Sequence, residues 1–177
     1  PGWNGTIKLI NIYGIASAMS YLHSQNIEHR HLNPYNILLD NSLHPKVEFI
    51  GLSFQKKQNN DVAPYIAPEI WTDYKYSQKN DVYSYGIIVH EILTNSIPFE
   101  ERNIFQIMIY VSQGKQPLIN KDIPASYANL IKRCLAHEPQ ERPTFDEILN
   151  LLKNDEGFIT NVVDENEYRN YVYYIDH

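Results

Sequence analysis

A chain of 177 residues that is 43% hydrophobic and 12% aromatic carries enough apolar mass to bury one sizeable core, which predicts a single globular domain. Its net charge of -6, with Lys and Arg scattered apart from the Lys56-Lys57 pair, excludes a phosphate-tracking surface and with it nucleic acid as an expected partner. The one cysteine, Cys134, excludes a disulfide framework, and its apolar helical context predicts a buried, inert thiol in a reducing, intracellular, cytoplasmic setting.

No apolar run is long enough to span a bilayer, so no membrane partner is expected. Pro1-Gly2-Trp3 opens with neither Met nor a signal-like region, an abrupt start that reads as a cut from something longer. From Thr6 to Ser24 the positions Ile7, Ile10, Gly14, Ala18, Tyr21 and Leu22 recur at helical spacing and predict an amphipathic helix with one core face, closed by Ser24-Gln25-Asn26. Ile37-Leu38-Leu39 and Lys46-Val47-Glu48-Phe49 read as the two short strands of a hairpin around Asp40-Asn41-Ser42. Between Leu52 and Tyr65 the periodicity disappears and a polar loop is expected. Asp81 to Thr94 is apolar on nearly every side, the pattern of a helix surrounded by protein. Further helices are expected over 103–113, 125–136 and 144–153, the last starting at Pro143-Thr144 with Asp146 and Glu147 in its first turn. Residues 155–177 form an acidic, Tyr-rich extension. There Asp164 and Glu167 mark a helix start, and Tyr168, Tyr171, Val172 and Ile175 make an apolar stripe expected to pack back on the domain in preference to a partner's groove.

Three short motifs carry the chemistry. His29-Arg30-His31-Leu32 followed by Asn36, then Phe49-Ile50-Gly51, then Ala67-Pro68-Glu69, resemble in order and spacing the H-R-D-L-x-x-x-N, D-F-G and A-P-E signature of protein kinases. Asp81 resembles the family's structural aspartate that holds the catalytic-loop backbone. Arg142 resembles the late arginine that pairs with the A-P-E glutamate, here Glu69, and His29 resembles the backbone-bonding histidine. The resemblance covers residues 5–153, and GIASAMSYLHS and DVYSYGIIVHEILT are most similar to the tyrosine-kinase-like group. It implies a mainly α fold: a kinase-like C-terminal lobe over residues 1–154 with a short β-hairpin at the catalytic loop. Nothing in the chain resembles the N-terminal lobe, whose glycine-rich loop and strand lysine would precede residue 1.

Phosphoryl transfer is mostly positioning and charge neutralisation, by an aspartate base, metal-binding aspartate and asparagine, and a supporting lysine. By the resemblance, His31 stands at the catalytic-loop aspartate, Asn33 at the loop lysine, Phe49 at the metal-binding aspartate and Val62 at the activation-segment threonine. Asn36, Leu38 and Phe49 are the cofactor-facing positions, and of the chemical set only Asn36 is kept. An imidazole at His31 can take a proton, a capacity worth about a hundred- to ten-thousand-fold in rate. Phe49, however, offers magnesium no oxygen and Asn36 only a neutral one, and groups that act as a unit are not rescued by one substitute. The scaffold positions His29, Arg30, Gly51, Glu69, Asp81 and Arg142 remain. The expectation is therefore a catalytically inactive, pseudokinase-like signalling module that binds protein partners, an N-lobe or another signalling protein, around the activation segment and the helix near 103–113. Two alternatives stay open: a Ser/Thr kinase that binds ATP once an upstream N-lobe completes it, and an incomplete gene product without a selected role. ATP and magnesium enter by resemblance alone, and no cofactor is expected for this chain. His23, His29, His31 and His44 match no zinc spacing, Asn36 reads as a turn cap before a metal ligand, and Tyr65 and Ser53 are minor candidates for a regulatory phosphosite. The face beside Leu38, Phe49 and Ile50 is expected to be apolar and exposed.

Overall fold

The structure, a computed structural model, describes residues 2–49 and 61–177. The first helix, α1 (Gly5–Ser24), starts where the Asn4 side chain accepts the Ile7 N–H at 2.9 Å, satisfying one of the donors a helix start leaves open. Contrary to the one-faced expectation, α1 is buried nearly all round: Ile7, Leu9, Ile10, Ile12, Tyr13, Ile15 and Ala16 are all closed off, and so are Thr6 and Asn11, while Tyr21 is 67% exposed. The cause is enclosure. Neighbouring elements pack on several sides of α1, so the mostly apolar run 7–16 has no wet face to alternate with. Lys8, the one charge in that run, reaches the Leu93 carbonyl at 3.4 Å, and burial pulls its ammonium below the ordinary lysine range.

Strands β1 (Ile37–Leu39) and β2 (Pro45–Val47) form a two-stranded antiparallel hairpin with Ile37 opposite Val47 and Leu39 opposite Pro45. The second strand begins one residue earlier and ends two residues earlier than expected. Its successor Glu48 still sends its N–H back to the Asn36 carbonyl at 2.8 Å. The turn is fixed by Asp40, whose carboxylate accepts the Ser42 and His44 N–H groups, an arrangement natural to Asx residues.

The six-residue helix α2 (Pro68–Asp73) has no counterpart in the sequence reading; it begins on Pro68, a residue pre-set for a first turn. Helix α3 (Gln78–Thr94) is the surrounded helix foreseen, buried continuously from Asn80 to His90. It starts three residues early because Ser77 and Asn80 close a reciprocal cap. Then come α4 (Ile104–Ser112), α5 (Ala125–Cys134), α6 (Phe145–Asn154) and α7 (Glu165–Asp176). Cys134 is fully buried on α5, which pushes its thiol up to about 12. The result is the mainly helical fold expected of a kinase-like C-terminal lobe.

Helix α7 packs along α1, flanked by α6 and the hairpin. Asp164 caps it by accepting the Glu167 N–H and donates its own N–H to Thr6 Oγ1 at 2.8 Å. Tyr168 is fully buried and donates to the Leu152 carbonyl at 2.9 Å. The Tyr13 hydroxyl donates to Asp176, which also pairs with Lys153, both at 2.7 Å. Tyr171 is 7% exposed, but Ile175 at the far end of the stripe stays 37% exposed. Gly14 permits the approach, since a Cβ there would strike the Tyr171 hydroxyl and Pro45.

Candidate phosphotransfer site

Asp81, in the first turn of α3 and 1% exposed, organises the loop that precedes β1. Its Oδ2 accepts the His29 N–H and its Oδ1 the Arg30 N–H, both at 2.8 Å, and His23 Nε2 lies 2.9 Å from Oδ2. Three contacts on one buried carboxylate tie the end of α1, the His-Arg turn and α3 together. They also hold Arg30 in the left-handed region at φ 65, a conformation costing a non-glycine residue about 1–2 kcal/mol. The Arg30 guanidinium itself points outward, to Glu28 and over the Tyr76 ring.

His29 is 5% exposed. Its Nε2 meets the Glu48 carbonyl at 2.8 Å and its Nδ1 faces the His31 N–H at 3.3 Å. The first contact needs a donor and the second an acceptor, so one tautomer, protonated on Nε2, satisfies both. The loop continues through His31, half-buried, whose carbonyl accepts two amides: Asn33 Nδ2 at 2.8 Å and Asn36 Nδ2 at 2.7 Å. Asn33 Oδ1 in turn accepts the Tyr35 N–H and caps the short turn 34–36. Both asparagines are 5% exposed.

The candidate residues thus separate into two groups. His29, Arg30, His31, Asn33, Asn36 and Asp81 are brought together in one hydrogen-bonded loop. Asn33 faces inward, neutral and committed to the turn. Phe49 stands at the loop's upper edge, 47% exposed, with its ring edge-on to His29 at 5.9 Å. Leu38 is 50% exposed, so the expected apolar face is present at these two residues, while Gly51, Ile50 and Ser53 lie outside the described residues. Magnesium does not fit this set. It is a hard cation that wants several oxygens, and the described candidates offer it one neutral amide oxygen, on an Asn36 whose nitrogen already serves the His31 carbonyl.

Away from the loop, Glu69 on α2 and Arg142 just before α6 form a bidentate pair at 2.7 and 2.8 Å, with the Arg142 side chain at 0% exposure. Asn80 Nδ2 also donates to Glu69, and the Tyr83 ring lies 5.2 Å from the guanidinium. Tyr65 is unfit as a phosphosite: it is 5% exposed and its hydroxyl donates to Glu91 at 2.5 Å. Burial, with help from that carboxylate, pushes its phenol well above the ordinary value. Of the four histidines, His23 turns to Asp81, His29 to Glu48 and His44 to the Tyr171 ring, while His31 stays half-buried in the loop. Among the described residues no group of three or more His, Cys, Asp or Glu side chains gathers. Sequence reasoning missed His23, Asn80 and Tyr83. Each sits on a helix face whose partner is 11 to 59 positions away, and no local pattern announces such a contact.

A helical lobe in which a buried acid holds a His-Arg turn and a buried Arg–Glu pair locks a Pro-Glu helix onto the base is the architecture of a protein-kinase C-terminal lobe. Comparison with known proteins agrees. The family model for protein tyrosine and serine/threonine kinases matches residues 5–152, and the chain belongs to that family. A putative serine/threonine-protein kinase/receptor of Acanthamoeba polyphaga mimivirus is 36% identical over 152 residues, 82% of this chain and 9% of that protein. The RGS domain-containing serine/threonine-protein kinase A of Dictyostelium discoideum is 38% identical over 146 residues, 80% of this chain and 13% of that protein. A probable LIM domain-containing serine/threonine-protein kinase of the same organism is 36% identical over 145 residues, 78% of this chain and 22% of that protein. The chain therefore spans between 9% and 22% of the length of these relatives. No described helix is long and apolar enough to cross a membrane.

Proposed function

We propose that this chain is a kinase-family lobe of the tyrosine-kinase-like group that binds other proteins and does not itself transfer phosphate. The observation that carries the reading is the donor set of the loop: an imidazole at His31, a phenyl ring at Phe49 and an inward-turned amide at Asn33 occupy the places that the motif order gives to base, metal ligand and phosphate support. Such groups act as a unit, so their joint replacement removes catalysis more thoroughly than any one loss. The pairs that only hold the lobe together, Asp81 with the His-Arg turn and Glu69 with Arg142, are intact. In this reading residues 1–154 are the lobe, 155–177 an appended helix, and the cytoplasm the working compartment. The binding surface lies around the activation segment and α4, where Phe105 and Ile109, one turn apart, are 69% and 54% exposed.

The test is incubation with labelled ATP, magnesium and a generic protein substrate. No incorporation is expected. Phosphate transfer that vanishes on Asn36→Ala overturns the reading. A second reading, a Ser/Thr kinase completed by an upstream lobe, is favoured by the names of the relatives and by the presence of Asn36. It predicts transfer once the parent's N-lobe is supplied.

A further inference from the structure

Between the N-terminal half of α1, the β1–β2 turn and α7 lies an open groove of about 610 Å³, within the range of roughly 300–1,000 Å³ common for ligand sites. Ile7 and Ile10 close its floor, Asp40 and His44 form one rim, and Glu167 with Tyr174 forms the other. One wall belongs to α7, beyond the residues 5–152 that match the family. The groove is a feature of this chain's extension and not a subsite of the family.

Its chemistry is one-sided. Carboxylates line both rims and no lysine or arginine lines either. Hydrogen bonds from the His44 and Ser42 N–H groups hold Asp40 below the usual carboxylate range, so it is ionised at neutral pH. Glu167 has no ion-pair partner among the described residues. Tyr174 stands 77% exposed at the mouth and offers a ring face. Lys153 and Asp176, which already pair, are engaged with Tyr13 on the other side of α7, and His44, 4.0 Å from Asp40, and Lys46 offset part of the Asp40 charge, which leaves Glu167 as the uncompensated anion. An anionic occupant would be repelled. A wholly apolar one would strip water from the Glu167 carboxylate and the open side of Asp40 without replacing those hydrogen bonds. A lysine or arginine satisfies both requirements, with its head between Asp40 and Glu167 and its stem or guanidinium plane against Tyr174.

We propose that this groove docks a short basic segment of a partner protein, with a lysine or arginine side chain as the anchor. The site stands whether or not the lobe transfers phosphate, so its failure and that of the functional reading are separable.

The experiment uses the 177-residue chain and two fluorescently labelled peptides of equal length, one alternating Arg and Leu, the other with Glu replacing Arg, read by anisotropy. The basic peptide should bind saturably, more weakly as salt rises, and the acidic one should not. Glu167→Lys and Tyr174→Ala, both exposed substitutions, should each weaken binding by about tenfold with the thermal midpoint unchanged. The control Glu101→Lys, an exposed charge reversal elsewhere, should leave binding as it is. Three results overturn the proposal: equal weakening by Glu101→Lys, which means non-specific attraction to an acidic protein; no effect of Glu167→Lys and Tyr174→Ala on peptide binding; or no saturable binding up to about 1 mM.

Discussion

Replacing Glu69 with alanine should destabilise the lobe although Glu69 touches no reacting group. The guanidinium of Arg142 uses all five of its N–H donors: Nε to Ala136 O, Nη1 to Glu69 and Lys79 O, Nη2 to Glu69 and His137 O, at 2.7 to 3.0 Å. The substitution orphans two of these donors and leaves a cation with 0% side-chain exposure unneutralised. Two orphaned donors at about 1–3 kcal/mol each agree with the roughly 3–5 kcal/mol seen when a buried pair loses one partner. Three carbonyls and the Tyr83 ring remain around the charge, which places the expected cost near the lower end, about 3 kcal/mol. For a chain of this size that lowers the thermal midpoint by roughly 6–12 °C. Glu69→Gln, which keeps an oxygen acceptor but not the charge, should lose about half as much. Thermal unfolding followed by far-ultraviolet circular dichroism decides the matter. A midpoint for Glu69→Ala within about 2 °C of the parent would refute the reasoning, because it would mean water or a rearranged loop replaces the carboxylate at no cost.

Burial raises the phenol pKa of Tyr13, Tyr65, Tyr83, Tyr85, Tyr127, Tyr168 and Tyr171, the last to about 12. Groups held protonated by the fold contribute stability that is whole below their unfolded pKa near 10 and is lost as pH rises through the higher folded values. Half of the 14 tyrosines should therefore resist phenolate formation until the chain unfolds above about pH 10; a single smooth ultraviolet titration of all 14 in a folded chain contradicts this. Tyr168→Ala, at the centre of the α7 contact, should cost about 3–5 kcal/mol in urea unfolding and Tyr168→Phe about 1. A loss below about 1 kcal/mol for the alanine variant would show that α7 is not docked. Leu38, Leu39 and Phe49 together expose apolar surface beside the loop, so the chain should self-associate with rising concentration in sedimentation, and Phe49→Asp should reduce this. Association unchanged by Phe49→Asp assigns it to another surface.

What was legible in the sequence was whatever depends on near neighbours. The α6 start was visible as Thr144 followed by Glu147, and the α7 start as Asp164 followed by Glu167, because a cap is a contact between residues three apart. Motif order singled out Asp81, Glu69 and Arg142, and in the structure Asp81 accepts the His29 N–H while Glu69 pairs with Arg142. The surroundings of α1 were not legible. A run such as Ile-Lys-Leu-Ile-Asn-Ile-Tyr supports a one-faced or an enclosed helix equally well, and only the later helices decide which. Nor could the sequence show that Asn33 and Asn36 share one acceptor, the His31 carbonyl, because that depends on how the loop folds back over Asp81. Ile175, in the last turn of α7, stays 37% exposed, and the contacts that hold this end to α1 and α6 come from its neighbour Asp176, a polar residue that an apolar stripe does not single out.

The enclosure of α1 has a consequence for how the chain is made. The Thr6 hydroxyl meets Asp164, Tyr13 meets Asp176 and Ser20 meets Asp146, separations of 158, 163 and 126 residues. Within this lobe, an early helix is thus covered by helices that come late in the sequence. At roughly 5–20 residues per second, an emerging polypeptide carries the apolar flanks of α1 bare for about 8–30 s, and long-range contacts of this kind also close slowly. During that interval the nascent chain needs a chaperone or a transient non-native collapse to shield them, and translation arrested before Asp164 is added would leave a species prone to aggregate.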